Sequence, residues 1–177
     1  MPRLPLPEIQ DYAFCPPLFR DAVTALMRFA IDRLAIYDPV IPLVRHLLAH
    51  SPAHRIIDLC SGGAGPWGRL GQKLAEAVGA PVPIVLTDKY PNLPAFAALQ
   101  AEAPSLIQPR SQPVDATAVP AELIGVRTLF SSFHHFSPPQ ARQILNDAVA
   151  SRAPIGIFEF TERSLLACLG MLGAPLV

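Results

Sequence analysis

Residues 55–68 read RIIDLCSGGAGPWG, and the expected architecture follows from this stretch. Ile56 and Ile57 predict a buried strand, yet the carboxylate of Asp58 comes directly after them. Three of the four residues 62–65 are glycine, more than a tight turn requires. Such a loop lets a bulky ligand lie against bare backbone. When it opens a helix, it favours an anionic or adenosine-bearing ligand.

The bulk composition argues against several classes of protein. A chain of 177 residues suits one domain with a substantial core. Hydrophobic residues make up 51% and charged residues 16%, which argues against a disordered chain. Because 14 basic residues balance 14 acidic ones, there is no basic field to collect phosphates. Nucleic acid is therefore disfavoured as the main partner.

The cysteines and the chain ends bear on the compartment. The three cysteines lie far apart and show neither a disulfide nor a metal-ligand spacing. The N-terminus has no apolar core of signal-peptide length, so we expect a cytoplasmic protein. Residues 165–177, LLACLGMLGAPLV, are almost wholly apolar but shorter than the ~20 residues that span a bilayer. We expect this tail to form a buried terminal helix, to belong to a longer hydrophobic segment, or to contact a membrane surface.

Apolar strands alternate with amphipathic helices from residue 54 onward. The predicted strands are 54–59, 83–87, 106–114, 126–131 and 154–160. The predicted helices are 17–36, 40–50, 66–78, 93–101 and 138–150. This alternation predicts right-handed βαβ units and a parallel sheet. Ligands bind such sheets beyond the carboxyl ends of the strands, which is where the unusual residues of this chain lie.

Leu34 is expected on the inward face of helix 17–36. In helix 138–150, Ser137 and Gln140 predict a capping box, and the expected inward face consists of Ala141, Ile144, Leu145, Ala148 and Val149.

Two ligand classes fit the glycine-rich loop. Residues 63–68 match the dinucleotide pattern G-x-G-x-x-G, with Asp88 as the acid after strand two, which favours an NAD(P)-binding oxidoreductase. Residues 58–65, DLCSGGAG, resemble motif I of the class I S-adenosylmethionine-dependent methyltransferases, in which an acid precedes a loop of small residues. Cys60 and Ala64 stand where many members of that family have glycine.

Later landmarks also resemble this family. The resemblance implies that Asp58 lies near the ammonium group of the cofactor and that Asp88 binds both ribose hydroxyls. It further implies that Asp115, with Ala116, contacts the adenine amino group. The cofactor-binding residues implied in this way are Asp58, Cys60, Ser61, Gly62, Gly63, Gly65, Asp88, Lys89, Asp115, Ala116, Ser131 and Ser132.

Candidate catalytic residues follow strand four, in the segment 130–137, FSSFHHFS. His134 and His135 lie where the resemblance places the reacting methyl group. An imidazole, with an ordinary pKa near ~6.5, can take a proton from an attacking oxygen or nitrogen. The alternative is that one of them caps backbone groups before helix 138–150. Glu159, at the end of strand five, is a candidate to line the same mouth.

Together these features predict an α/β fold with a Rossmann-like, doubly wound parallel sheet of strand order 3-2-1-4-5. Residues 1–52 are expected to form an N-terminal helical cap, and residues 53–177 the S-adenosylmethionine-binding domain. The resemblance implies a methyltransferase, which we expect to act on a small-molecule acceptor or, given the apolar tail, on a lipid-like one. No metal site is predicted. Two alternatives stay open: an NAD(P)-binding oxidoreductase, and a non-catalytic adenosyl-binding or scaffold protein.

The family's usual strands six and seven have no counterpart after residue 160, where only apolar, helix-like sequence follows. This departure motivates the scaffold alternative. A sheet without its closing strands would expose an edge, and an exposed edge invites pairing with a second copy of the chain.

Overall fold

The fold is taken from a computed structural model, which describes residue 29 and residues 31–159. The strands within these residues are β1 (Ile56–Asp58), β2 (Ile84–Leu86), β3 (Ile107–Pro109), β4 (Val126–Phe130) and β5 (Ile155–Phe158). The α-helices are α1 (Ile41–Ala49), α2 (Trp67–Val78), α3 (Leu93–Glu102) and α4 (Pro138–Ala150). Short 3-10 helices lie at Asp38–Val40 and Phe133–His135.

The described strands are all parallel and lie in the order β3-β2-β1-β4-β5. This confirms the predicted Rossmann-like α/β fold. Asp58 on the central strand β1 pairs with Leu86 on one side and with Thr128 on the other. The chain order reverses between β1 and β4, and at such a point the loops part and leave a crevice at the carboxyl edge of the sheet.

Helix α2 connects the glycine-rich loop to the core. It begins at Trp67, directly after Pro66, and ends where Gly79 takes the left-handed conformation with φ 82°. Trp67, Leu70 and Leu74 are buried against the sheet, as the spacing predicts. The N-terminus of α2 is therefore fixed at the carboxyl edge of β1.

Helix α1 belongs to the layer of helices that covers the sheet. It contacts α2 and β5, and its side chains Val44 and Leu48 are buried. The contact with β5 is close, because a Cβ atom at Gly156 would lie 2.9 Å from a methyl group of Leu47. The division of the chain into a cap and a domain at residues 52 and 53 stays a prediction.

Helix α4 begins at the predicted capping box, in which the backbone amide of Ser137 donates to Oε1 of Gln140 at 3.0 Å. Its apolar face is narrower than predicted. Ile144 and Ala148 are buried, whereas Leu145 and Val149 are 42% and 77% exposed. The inward placement of Leu145 and Val149 was therefore wrong, because α4 meets the sheet along a single i, i+4 row.

The segment before α1 also differs from the expectation. The predicted helix 17–36 is helical at residues 31–33 and then turns, because Ala35 takes the left-handed conformation with φ 54°. Leu34, predicted to face inward, is 70% exposed. Predictions for residues 1–28 and 160–177 lie outside the described residues. Within the described part, no helix is long and apolar enough to cross a bilayer.

Candidate functional site

The carboxylate of Asp58 is buried at the carboxyl edge of the sheet, with 1% of the residue exposed. Its Oδ2 accepts from Oγ of Ser61 at 2.7 Å, and its Oδ1 accepts from Oγ1 of Thr128 at 2.8 Å. Burial raises the pKa of Asp58 to about 6. Ser61, Thr128 and the indole of Trp67 favour the ionised form and only partly offset burial, while the negative charge of Asp88 adds to the increase.

Trp67 and Gly65 enclose this carboxylate. The indole nitrogen of Trp67 is buried, favours the ionised form of Asp58, and makes no hydrogen bond of good geometry within residues 31–159. Gly65 has φ 59°, and a Cβ atom there would lie 3.2 Å from both Oδ2 of Asp58 and Cδ1 of Trp67. Only glycine fits this position without displacing the acid or the indole.

The loop winds through the left-handed conformation four times, at Cys60, Gly62, Ala64 and Gly65. Cys60 and Ala64, with φ 58° and 81°, are the two positions where the related motif commonly has glycine. A left-handed residue with a side chain costs on the order of 1 kcal/mol, and such strain is concentrated at functional sites. Burial raises the pKa of the Cys60 thiol to about 12, so this thiol is protonated at neutral pH.

Asp88 binds the opposite side of the loop. Its Oδ2 accepts from the backbone amide of Gly62 at 2.8 Å, and its Oδ1 accepts from the amide of Tyr90 at 2.8 Å. The bond to Tyr90 is the Asx-turn expected of an aspartate in a tight turn, whereas the bond to Gly62 ties β2 to the loop after β1. A carboxylate has about four acceptor positions, so these two amides do not saturate Asp88.

Asp115 forms a separate polar group beside Asp88. Its Oδ2 pairs with Nζ of Lys89 at 2.9 Å, and its Oδ1 accepts from the amide and the hydroxyl of Thr117 at 2.9 and 2.7 Å. The hydrogen bond from Lys89 and then those from Thr117 lower the pKa of Asp115 to about 2. Ala116 is buried, 4% exposed, so its methyl group faces the core.

A third polar group, centred on Glu159, lies at the ends of β4 and β5. Its Oε1 accepts from the backbone amides of Ser132 and Phe133 at 3.1 and 2.8 Å. Its Oε2 lies 2.6 Å from Nδ1 of His134. Burial opposes ionisation, but the bond and charge of His134 and the two amides outweigh it and lower the pKa of Glu159.

Ser131 makes the turn that leads from β4 into this group. It has φ 43°, and its amide donates to the carbonyl of Phe158 at 2.9 Å. The hydroxyl of Tyr37, from the segment before α1, lies 2.6 Å from Oγ of Ser131. Tyr37 is buried, and no local pattern in the sequence marks its contact with a residue 94 positions away.

The acids at this edge of the sheet act on two further groups through their charges. Besides burial, the negative charges of Asp88, Asp58 and Asp115 all raise the pKa of Cys60. Burial raises the pKa of Tyr37 to about 12, and the charges of Glu159 and Asp58 add to the increase. The charge of Asp58 therefore acts both on the Cys60 thiol and on the Tyr37 hydroxyl.

The predicted site residues thus fall into three local groups. In the first group, Asp58 accepts from Ser61 and Asp88 accepts from Gly62, and the same loop contains Cys60, Gly63 and Gly65. The second group is the pair of Lys89 with Asp115. The third group is centred on Glu159 and includes Ser131, Ser132 and His134. The His135 ring lies 4.2 Å from that of His134, centroid to centroid. Within residues 31–159, no cluster of three or more His, Cys, Asp or Glu residues could hold a metal ion.

Comparison with known proteins adds a structural neighbour. No family model and no curated protein matches the sequence. An O-methyltransferase family protein from Burkholderia thailandensis superimposes with a TM-score of 0.51 over 80% of this chain, at 16% sequence identity. The chain spans 40% of the length of that neighbour. At this identity the likeness shows the fold alone: a Rossmann-like parallel sheet flanked by helices.

Proposed function

We propose that the protein is an S-adenosylmethionine-dependent methyltransferase that acts on a small-molecule or lipid-like acceptor. The observation that carries this proposal is the hydrogen bond from the Gly62 amide to Asp88. It places the acid after β2 against the glycine-rich loop after β1, while Ser61 holds Asp58 on the same loop. This combination of bare backbone and a nearby carboxylate suits a bulky ligand that carries ribose hydroxyls.

The residues present fit such a ligand. At Gly62 the nearest atom to an added Cβ would be 4.0 Å away, so this part of the loop has room for a bulky group. Asp88 retains acceptor capacity for ribose hydroxyls, because each of its two hydrogen-bond partners is a single backbone amide. When bound, the sulfonium supplies a methyl group that is already activated for transfer. The tasks of the chain are to hold donor and acceptor in line and to exclude water.

Proton removal is assigned to His134. With Nδ1 held by Glu159, proton transfer from an acceptor hydroxyl would take place at Nε2, and the carboxylate would stabilise the resulting imidazolium. Backbone amides of Ser132 and Phe133 fix Glu159 in turn. This arrangement favours acceptors that must lose a proton before they attack, such as hydroxyl compounds.

Ligand-dependent thermal stability tests the binding half of the proposal. S-adenosylhomocysteine at a hundredfold excess over its Kd should raise the free energy of unfolding by about 2.7 kcal/mol, and NAD should not. Asp88→Ala should remove the response. Glu122→Ala is the matched control, because this exposed carboxylate precedes β4 at the opposite edge of the sheet and pairs with Arg110. A response to NAD alone would favour the oxidoreductase, and a response to neither ligand would contradict both enzymes.

Methyl transfer itself tests the catalytic half. A panel of hydroxyl-bearing acceptors, phenols and long-chain alcohols among them, is incubated with S-adenosylmethionine, and methylated products are detected by mass spectrometry. His134→Gln should lower the rate about a hundredfold, within the range of general-base catalysis. His135→Gln should lower it less, because Glu159 holds His134. Equal losses for the two variants would contradict the assignment of the base.

A further inference from the structure

We propose that Tyr37 is a positioning residue that joins the segment before α1 to the His134–Glu159 pair through Ser131. The inference rests on the proposed function where it concerns the reaction, and it assigns that function a further residue. Tyr37 lies outside the glycine-rich loop and outside the residues implied by the motifs. Its hydroxyl nevertheless lies 2.6 Å from the Ser131 hydroxyl at the tip of β4.

The backbone of Ser131 depends on support from its neighbours. A residue with a side chain rarely adopts φ 43°, and the surrounding contacts must maintain the conformation. Two contacts do so in this structure: the Ser131 amide donates to the carbonyl of Phe158, and the Ser131 hydroxyl bonds with Tyr37. Tyr37 therefore holds the side-chain end of this turn.

Glu159 connects the turn at Ser131 to the imidazole of His134. The next two backbone amides, of Ser132 and Phe133, both donate to Oε1 of Glu159. They can converge on one oxygen only while the preceding turn at Ser131 keeps its direction. Glu159 then holds Nδ1 of His134 at 2.6 Å with its other oxygen. Loss of the Tyr37 hydroxyl should consequently weaken the contact between Glu159 and Nδ1 of His134.

The ring of Tyr37 is held in place by aromatic packing. It packs edge-on against Phe130, with centroids 4.8 Å apart, and Phe130 contacts both Trp67 and Phe158. An aromatic cluster of this kind leaves the ring little freedom. The hydroxyl is therefore directed at Ser131 by packing, and Tyr37→Phe can remove it while the ring contacts remain.

Nuclear magnetic resonance tests the contact without any substrate. The ¹H–¹⁵N spectra of wild type, Tyr37→Phe and Ser131→Ala are compared at the Ser132 and Phe133 amides. Both variants should move these two amide protons upfield, because the bonds to Glu159 lengthen. Val44→Ala is the matched control: it truncates a buried residue of α1 and destabilises the fold, yet it should leave both resonances in place. Unchanged amide shifts in Tyr37→Phe would overturn the proposal.

Kinetics test the consequence for the reaction. With an acceptor from the screen, Tyr37→Phe should lower kcat about tenfold, the effect of one ordinary hydrogen bond, and leave the KM for S-adenosylmethionine within about twofold. Ser131→Ala should cause a similar loss of kcat, and the double variant no further loss, because both changes remove the same bond. Additive losses would overturn the proposal. If wild type transfers no methyl group, the proposed function fails, and the amide shifts still decide the role of Tyr37.

Discussion

Two carboxylates at the same edge of the sheet have opposite environments. Asp58, at the end of β1, is buried among neutral donors, and its pKa is raised to about 6. Glu159, directly after β5, has 26% of its side chain exposed; it contacts an imidazole and two backbone amides, and its pKa is lowered. Burial opposes ionisation in both, and the partners decide the direction of the shift.

The difference separates two tasks. Around Asp58, the hydroxyl groups of Ser61 and Thr128 and the close-packed Gly65 hold the carboxylate in one position. Around Glu159, a charge-assisted contact holds an ionisable ring at the tip of β4. The first arrangement suits the binding of a ligand, and the second suits the transfer of a proton.

Asp58→Asn should give the largest change in the comparison. Because the pKa of Asp58 is higher in the folded than in the unfolded protein, the folded state binds more protons between about pH 4 and pH 6. The free energy of unfolding of wild type should therefore fall by about 3 kcal/mol as pH rises through this window, and then level off. Denaturation at a series of pH values measures the slope, which Asp58→Asn should abolish. A slope retained in the variant would assign the titration to another group.

Glu159→Gln should show the opposite dependence on pH. Since the pKa of Glu159 is lowered by folding, its ionised form stabilises the protein above the unfolded pKa, and this contribution is lost as pH falls through the folded value. At neutral pH the variant should lose about 1 kcal/mol after allowance for solvent screening. The difference between variant and wild type should vanish in acid. A constant difference at all pH values would show that the loss is steric.

A pair of glycine substitutions compares the two ends of the loop. Gly62→Ala should cost about 1 kcal/mol, because φ is 47° but there is space for the methyl group. Gly65→Ala should cost about 2 kcal/mol, because its methyl group also meets Asp58 and Trp67. Urea denaturation of both variants gives the difference. Equal costs would mean that backbone strain alone requires glycine at position 65.

The smallest effect is expected at Lys89. Its pair with Asp115 is solvent-exposed on both sides, at 57% and 39% of the side chains. Lys89→Gln should leave the thermal midpoint almost unchanged, and added salt should remove any difference, because exposed pairs are strongly screened. A clear, salt-independent loss would show that this pair matters for the loop as much as Asp88 does.

The sequence was sufficient for the sheet, because its order depends on alternation and handedness, which local patterns record. The same alternation of strands and helices also predicted that Asp58 and Asp88 lie at the carboxyl ends of their strands. The inward face of α4 was only half predicted, since Leu145 and Val149 have the right spacing but lie beyond the row that meets the sheet. Burial on a helix depends on how it is placed against its neighbours, which spacing does not specify.

Contacts between distant residues were the least predictable part of the site. His134 and Glu159 were both selected, but their contact across 25 positions was not, because it requires β4 and β5 to be adjacent and in register. Tyr37 gave no signal, since an isolated tyrosine in a turn has no periodic partner. Neither contact has a local motif, and both depend on the tertiary structure.

The position of Trp67 gives the protein a built-in optical reporter. The chain has a single tryptophan, and it is buried beside Asp58 at the start of α2. All indole fluorescence therefore originates a few ångströms from the carboxylate and the glycine-rich loop. Its emission should respond when Asp58 gains a proton or when a ligand displaces the loop, so occupancy of the site can be followed without a label.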